Sequence, residues 1–294
     1  MSREPRAWVL NLDAEHELEA RGRYQPTQHL RAIVARERKR LFGTLVGPED
    51  VVLEADGPLP ERARGLPGVA WSPTPSALAT LARAGTRVLP APSLEVLRAV
   101  NARPFAAVVR EPLQRASFEK HVVLELESAL ARLARPAPNG WLVRRCFGAA
   151  GRGRRRIAVG KPSAAELTWL EASLRLGPLV CEPWVEVTRE YTRSAWVERS
   201  GAVTISAPCL QQTTRAGAWT GTELAQAGEV AHEDDAQLEA AVAAAGNALA
   251  HAGYFGPFGI DAYRHRALDG SAGTVLNPLS EINARYTMDW MVGR

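Results

Sequence analysis

Lysine is almost missing from this chain. Lys39, Lys120 and Lys161 are the only lysines among 36 basic residues, so the positive charge is carried by arginine. A local arginine cluster therefore says less here than in a lysine-rich chain, because the background already favours it. Cysteine is also scarce: Cys146, Cys181 and Cys209 show neither a CxxC spacing nor an even-numbered framework. That excludes a disulfide scaffold and a zinc cluster and fits a reducing cytoplasm. No stretch approaches the roughly 18–20 apolar residues of a membrane span, and the start, MSREPRAWVLNLDAEHE, has no apolar run of signal-peptide length. The expectation is a soluble, cytoplasmic protein without membrane contact. There is no GxGxxG after the first apolar run, which argues against a dinucleotide-binding fold. No internal repeat or low-complexity tail is visible.

What is present is ordinary globular composition: 294 residues, 46% hydrophobic, 23% charged, net charge +4. Length suggests about two domains, or one with lobes. AWVLNL (7–12) reads as a buried strand. Thr27 can cap a helix to about Phe42, with Leu30, Ile33, Val34 and Leu41 on one face. VVLEA (51–55) is a second strand. SPTPSALATLARAG is a short helix closed by Gly85, and RVLP is a strand. This alternation predicts a small parallel sheet. From about residue 93 the character changes. SLEVLRAVN is a capped helix, and a long helix is expected over 114–135. WLVRR and RIAVG flank a glycine loop as a hairpin. Ser163 and Glu166 form a capping box for a helix to about Leu176. PLVCEPWV, EYTRSAWVE and AVTISAP read as strands, 235–252 as a helix closed by Gly253, and GIDAYRHR and TVLNPLSEIN as the last strands around a loop at 266–273.

The chemistry sits near the end. Glu281 and Asn283 are two apart on a strand and share a face. If GIDAY pairs with LSEIN, Asp261 joins them. Two carboxylates and an amide carbonyl are hard oxygen ligands suited to Mg²⁺ or Mn²⁺. Arg285, two residues on, can reach a phosphate oxygen. In the stretch WLVRRCFGAAGRGRRRI (141–157), small residues let backbone N–H groups approach phosphates. Arg152 can reach a phosphate oxygen, while Arg154, Arg155 and Arg156 cannot all face one ligand. After the first strand, Asn11, Asp13, Glu15, His16 and Glu17 are candidates for substrate contact, or alternatively form an acidic helix start.

The order of these motifs resembles the ATP-grasp superfamily, whose members mostly join a carboxylate to an amine through an acyl-phosphate. The resemblance covers most of 95–290. VNARPF (100–105) resembles the leading segment that usually carries a phosphate-binding lysine, here Arg103. LVRRCFGAAGRG (142–153) resembles the strand and loop that close over the phosphates, with Gly151 and Gly153 in the loop and Arg144 where the strand lysine falls. VCEPWVEVTREY resembles the adenine hinge. There Glu182, Pro183, Trp184 and Val185 would hold the base, with Val180 as a further wall, and Glu190 would lie near the ribose. FGIDAY and LSEINAR match the metal-binding end.

The resemblance implies α/β and α+β architecture: a small parallel-sheet domain (1–95) on the substrate side, a small lobe with the phosphate loop (96–178), and a C-terminal lobe with hinge and metal site (179–294). It implies ATP and Mg²⁺ or Mn²⁺ as cofactors and small-molecule carboxylate and amine substrates. Arg285 and Arg152 would act catalytically. A phosphotransferase on the same fold, or a nucleotide-binding pseudoenzyme lacking the lysines, are the alternatives. A nucleic-acid binder is disfavoured by the modest charge and the lack of an aromatic-rich basic face. The oligomeric state is open and allows a homodimer.

Overall fold

The computed structural model describes residues 3–20, 22, 24–113, 121–148, 153–214 and 219–294. The chain opens with β1 (Ala7–Val9), α1 (Ala14–Glu19), α2 (Gln28–Arg38), β2 (Val51–Leu53), β3 (Pro67–Ala70), α3 (Pro75–Arg83) and β4 (Arg87–Val88). The strands form a parallel sheet in the order β2-β1-β3-β4. β1 is shorter than the expected strand over 7–12. After Val9 the chain turns: Leu12 N–H donates to Leu10 O and Ala14 N–H to Asn11 O, both at 3.0 Å. Thr27 caps α2, its hydroxyl accepting from Leu30 N–H at 3.2 Å. β3 was not anticipated, because PGVA is short and begins with two turn-forming residues.

Next come α4 (Leu94–Asn101), α5 (Arg103–Arg110), β5 (Val122–Val123), α6 (Leu126–Leu133), β6 (Trp141–Arg145), β7 (Arg154–Ile157), α7 (Ala164–Leu174) and β8 (Leu179–Pro183). The helix expected over 114–135 is corrected. Residues 114–120 lie outside the described residues, and only α6 is helical beyond them. Val122 fits helical spacing with Leu126 by coincidence; it pairs with Val180 in a ladder, where a β-branched side chain packs well. β5, β8, β6 and β7 form an antiparallel sheet in that order. Val143, Ile157, Leu170, Leu179 and Cys181 pack its core with Leu133. The Ser163–Glu166 capping box is present. Gly153 closes the β6–β7 hairpin: Arg145 N–H donates to its carbonyl at 2.8 Å. Its φ is +69°, and a Cβ there would lie 2.9 Å from Phe147 O, so the position requires glycine.

The last part contains β9 (Val187–Val197), β10 (Val203–Ile205), β11 (Cys209–Thr213), β12 (Trp219–Leu224), α8 (His232–His251), β13 (Gly256–Arg266) and β14 (Thr274–Asn283). A sheet runs β12-β11-β9-β13-β14, with β10 paired to β9. One face is covered by α4, α5 and α8. Leu97, Val100, Ala106, Val242, Leu249, Phe258 and Ile260 make that core. β11 and β12 (CLQQT and WTGTEL) were not read as strands, because polar side chains mask their alternation. Among the described residues no helix is long and apolar enough to cross a membrane.

The final segment joins the parallel sheet to the large antiparallel one. Tyr286 N–H donates to Trp71 O at 3.1 Å. The Tyr286 ring meets Trp8 edge-on at 5.2 Å and Trp290 at 5.1 Å, and Trp290 also lies 6.3 Å from Trp196 of β9. Trp290 is buried, so its truncation leaves a cavity between the two sheets. Trp290→Ala is expected to cost about 3–5 kcal/mol, read as a lowered denaturation midpoint in urea. A loss under about 1 kcal/mol would mean the tail is not part of the joint core.

Candidate functional site

The metal-type residues meet as the register demands. β13 and β14 are antiparallel with Asp261 directly opposite Glu281, and Asn283 shares the Glu281 face. Asp261 Oδ1 accepts from Gln211 Nε2 and Oδ2 from Asn283 Nδ2, both at 3.0 Å. Burial, then the facing Glu281, then Asp289 push the Asp261 carboxyl up to about 7. Glu281 is paired with Arg103 at 3.2 Å. Among the described residues no three His, Cys, Asp or Glu side chains converge on one cation position. The donor set is two opposed carboxylates and one amide. It fits a divalent cation, because hard oxygens are present and a positive charge there would relieve the repulsion that raises Asp261.

Arg103 opens α5 and reaches back to the glycine loop, donating to Arg145 O at 3.0 Å and to Gly148 O. Arg144 on β6 pairs with Glu182 of β8. Glu182 also takes Arg110 of α5, whose other Nη donates to Leu279 O on β14 at 3.3 Å. Burial would raise the Glu182 carboxyl, but Arg144 and Arg110 outweigh it and hold it down at about 2. Burial would in turn lower Arg144, and Glu182 with Glu281 more than offset that. The Nε atoms of Arg103 and Arg144 are buried without a partner among the described residues.

The expected hinge follows. Pro183, Trp184, Val185 and Glu190 line the cleft, whereas Val180 is buried inside its sheet and does not. Trp184 N–H is engaged with Gly140 O at 2.8 Å, so that donor is not open to a base. The Trp184 ring carries the Arg156 guanidinium at 4.9 Å. Register explains the arginine run: Arg154 faces Arg144 and Arg156 faces Leu142, so both line the cleft. Arg155 points the other way, over Trp169 at 5.3 Å.

On the parallel-sheet side, Glu15 of α1 binds Arg285 and accepts from Gly148 N–H at 3.3 Å. Burial raises its carboxyl, but Arg285 and Arg103 together hold it below the ordinary range. Asp13 accepts from the Tyr24 hydroxyl at 2.6 Å, and His16 lines the cleft. Asn11 does not reach it. Its amide is used up bolting β1 to the chain after β3, donating to Ser72 O at 2.9 Å and to Thr74 Oγ1 at 3.0 Å. Glu17 is similarly occupied, accepting from Ser76 N–H at 2.9 Å at the start of α3. Gly153 sits at the hairpin base rather than in the lining, and Gly151 and Arg152 lie outside the described residues. Sequence reasoning missed Thr287, Met288 and Asp289, which also line the cleft. A buried-type pattern, YTMDWM, was their one signal.

Glu15, Arg103, Arg144, Glu182, Asp261, Glu281, Asn283 and Arg285 line one cleft of about 1580 Å³. No lysine lines it. Ligand pockets commonly run to about 300–1,000 Å³, so this one has room for more than one molecule.

No family model matches the sequence, and no curated protein does. Solved structures do match in fold. A biotin carboxylase from Campylobacter jejuni, in a β,γ-ATP complex, superposes with a TM-score of 0.58 at 13% identity, over 99% of this chain and 67% of that one. A D-alanyl-alanine synthetase A from Vibrio cholerae gives 0.53 at 13% identity, over 96% of this chain and 90% of that one. A pyruvate carboxylase from Rhizobium etli gives 0.56 at 14% identity over 99% of this chain, which spans only 27% of its length.

Two outcomes follow from the geometry. Asp261→Asn removes one of two opposed carboxylates, so its thermal midpoint without divalent cations should equal or exceed the parent's. If Asp261 helps to hold a divalent cation, MgCl₂ should raise the midpoint of the parent and not that of the variant; an equal rise in both would count against Asp261 as a ligand. Glu182, lowered from 4.5 to about 2, contributes stability that is present above pH 4.5 and lost as pH falls towards 2. The shift is worth about 3 kcal/mol. The stability gap between the parent and Glu182→Gln, measured in urea, should therefore shrink by about 2 kcal/mol between pH 5 and pH 3. A gap independent of pH would contradict the ion-pair account.

Proposed function

We propose that this chain, which has the ATP-grasp fold, is an ATP-dependent ligase joining a carboxylate to an amine through an acyl-phosphate. The observation that supports this reading is the convergence on one cleft of the opposed carboxylates Asp261 and Glu281, the Asn283 amide, and the arginines Arg103, Arg144 and Arg285. Carboxylates for a cation beside guanidinium groups for phosphate are what phosphoryl transfer requires.

In this reading the hinge at Pro183–Val185 walls the adenine and Glu190 meets the ribose. Arg103 and Arg144 bind phosphate oxygens while the turn at Gly148 covers them. Asp261, Glu281 and Asn283 would hold a divalent cation, which supplies positive charge against the phosphate oxygens when bound. A substrate carboxylate oxygen attacks the γ-phosphorus and ADP leaves. The amine nitrogen then attacks the acyl carbon, the C–O bond to phosphate breaks, and phosphate departs as the nitrogen loses its proton. Arg285, paired with Glu15, would stabilise the oxygens of the group in transit. The small-molecule carboxylate and amine are the proposed partners.

One observation favours a second reading, a nucleotide-binding protein without turnover. Arg103, Arg144 and Arg285 are each already paired, with Glu281, Glu182 and Glu15. A phosphate must then compete with carboxylates that are part of the chain.

A screen of amino-acid pairs and small amines for substrate-dependent ADP release, with mass spectrometry of the products, tests the proposal. Glu281→Ala and Asn283→Ala should each abolish ADP formation while the protein stays folded. Full turnover in both variants would sink the cation assignment, and ATP binding without turnover on any substrate would favour the second reading.

A further inference from the structure

The cleft has more lining than a nucleotide can use. On the parallel-sheet side it is walled by Leu30, Ile33 and Val34 of α2, by Leu12 and Trp71, and by Met288 of the C-terminal turn. Leu12, Trp71 and Met288 pack into one apolar cluster, so that part of the wall is continuous. Set into it are two polar side chains of the same turn. Asp289 is only 5% exposed and lines the cleft, and its carboxylate accepts from the Thr222 hydroxyl at 3.2 Å. Thr287 is only 7% exposed, and its Oγ1 is buried with no hydrogen-bond partner among the described residues. A buried hydroxyl left unpaired is costly unless something meets it.

The charges around this compartment are not equally free. Arg36 and Arg40 both bind Glu37, and Arg40 also donates to Thr220 O at 2.6 Å and lies 4.1 Å over the Trp219 ring. Among the described residues Asp289 has no cation beside it. Its field nevertheless reaches the cation site, since Asp289 is one of the groups that raise Asp261. A buried carboxylate on an apolar wall, beside an unsatisfied hydroxyl, suits a cationic amine carried on an apolar body.

We infer that this compartment is the acceptor subsite, and that its ligand is a primary ammonium compound with an aliphatic or aromatic side chain. Asp289 takes the ammonium, Thr287 Oγ1 supplies a second hydrogen bond, and Leu30, Ile33 and Met288 take the side chain. The inference rests on the ligase reading for the role of the amine, not for its binding.

The test uses the full chain and three probes titrated by calorimetry. L-leucinamide has both ammonium and apolar body, glycinamide the ammonium alone, and 4-methylpentanamide the body alone. L-leucinamide should bind most tightly. Asp289→Asn keeps the Thr222 hydrogen bond, so it should stay folded while losing about tenfold or more in L-leucinamide affinity, with 4-methylpentanamide unaffected. Ile33→Ser should weaken L-leucinamide but not glycinamide. Thr287→Val should leave thermal stability unchanged or raised, because no bond is lost, and still weaken L-leucinamide. Equal L-leucinamide binding in the parent and Asp289→Asn overturns the subsite, as does glycinamide matching L-leucinamide, or no probe binding at millimolar concentration. The two readings fail separately. Asp289-dependent binding with no amine-dependent ADP release keeps the subsite and drops the ligase. Amine-dependent ADP release indifferent to Asp289→Asn keeps the ligase and drops the subsite.

Discussion

Glu182 held between Arg110 and Arg144 is the interaction on which the rest of the architecture depends. It joins β8 to β6 through Arg144 and to α5 through Arg110, and Arg110 continues to the Leu279 carbonyl of β14. The small antiparallel sheet is thereby tied to the large one at the bend of the cleft. Three buried charges cost much in desolvation, and the arrangement holds only because both guanidinium groups share one carboxylate. The same bridge sets the position of Arg144. A second tie, Glu15 to Arg285 and to the Gly148 N–H, fastens the parallel sheet to the glycine turn and the end of β14. Between these two ties lies the cleft.

The scarcity of lysine gains a physical sense from this. An ammonium is a compact point charge, whereas a guanidinium has five N–H donors in a planar fork. Arg144 can keep Glu182 on one Nη and still present donors elsewhere, and Arg103 can hold Arg145 O, Gly148 O and Glu281 together. Arginine at these positions builds the frame and faces the ligand space at once. The consequence is that Arg103, Arg144 and Arg285 are each already paired with one of the chain's own carboxylates.

Much of the fold was legible because local chemistry was unambiguous. Thr27, Ser93 and Ser163 stand where caps were expected, and their side chains accept the predicted backbone N–H groups. That Glu281 and Asn283 share a face could be read from alternation alone, whereas Asp261 joins them only through the β13–β14 register, which the structure supplies. The arginine run was not legible without register: only pairing with β6 shows that Arg154 and Arg156 share a face and Arg155 does not. Contacts distant in the chain were invisible. Nothing in the sequence joins Glu15 to Arg285, or Trp8 to Tyr286. Asn11 was a candidate for substrate because loops after parallel strands hold ligands. The structure spends its amide on the backbone instead, a choice that depends on Ser72 and Thr74 being across the sheet. The turn at Thr287–Asp289 contributes to the cleft wall through contacts that no local pattern announces.

The central claim is that the γ-phosphate is transferred to a carboxylate oxygen before an amide forms. The most direct measurement uses the carboxylate that triggers ADP release, labelled with oxygen-18 in its carboxyl group, and follows the label by mass spectrometry. The account predicts one labelled oxygen in the released phosphate and an amide retaining the other. Unlabelled phosphate alongside the amide, or a phosphorylated acceptor with no phosphate released, would contradict it.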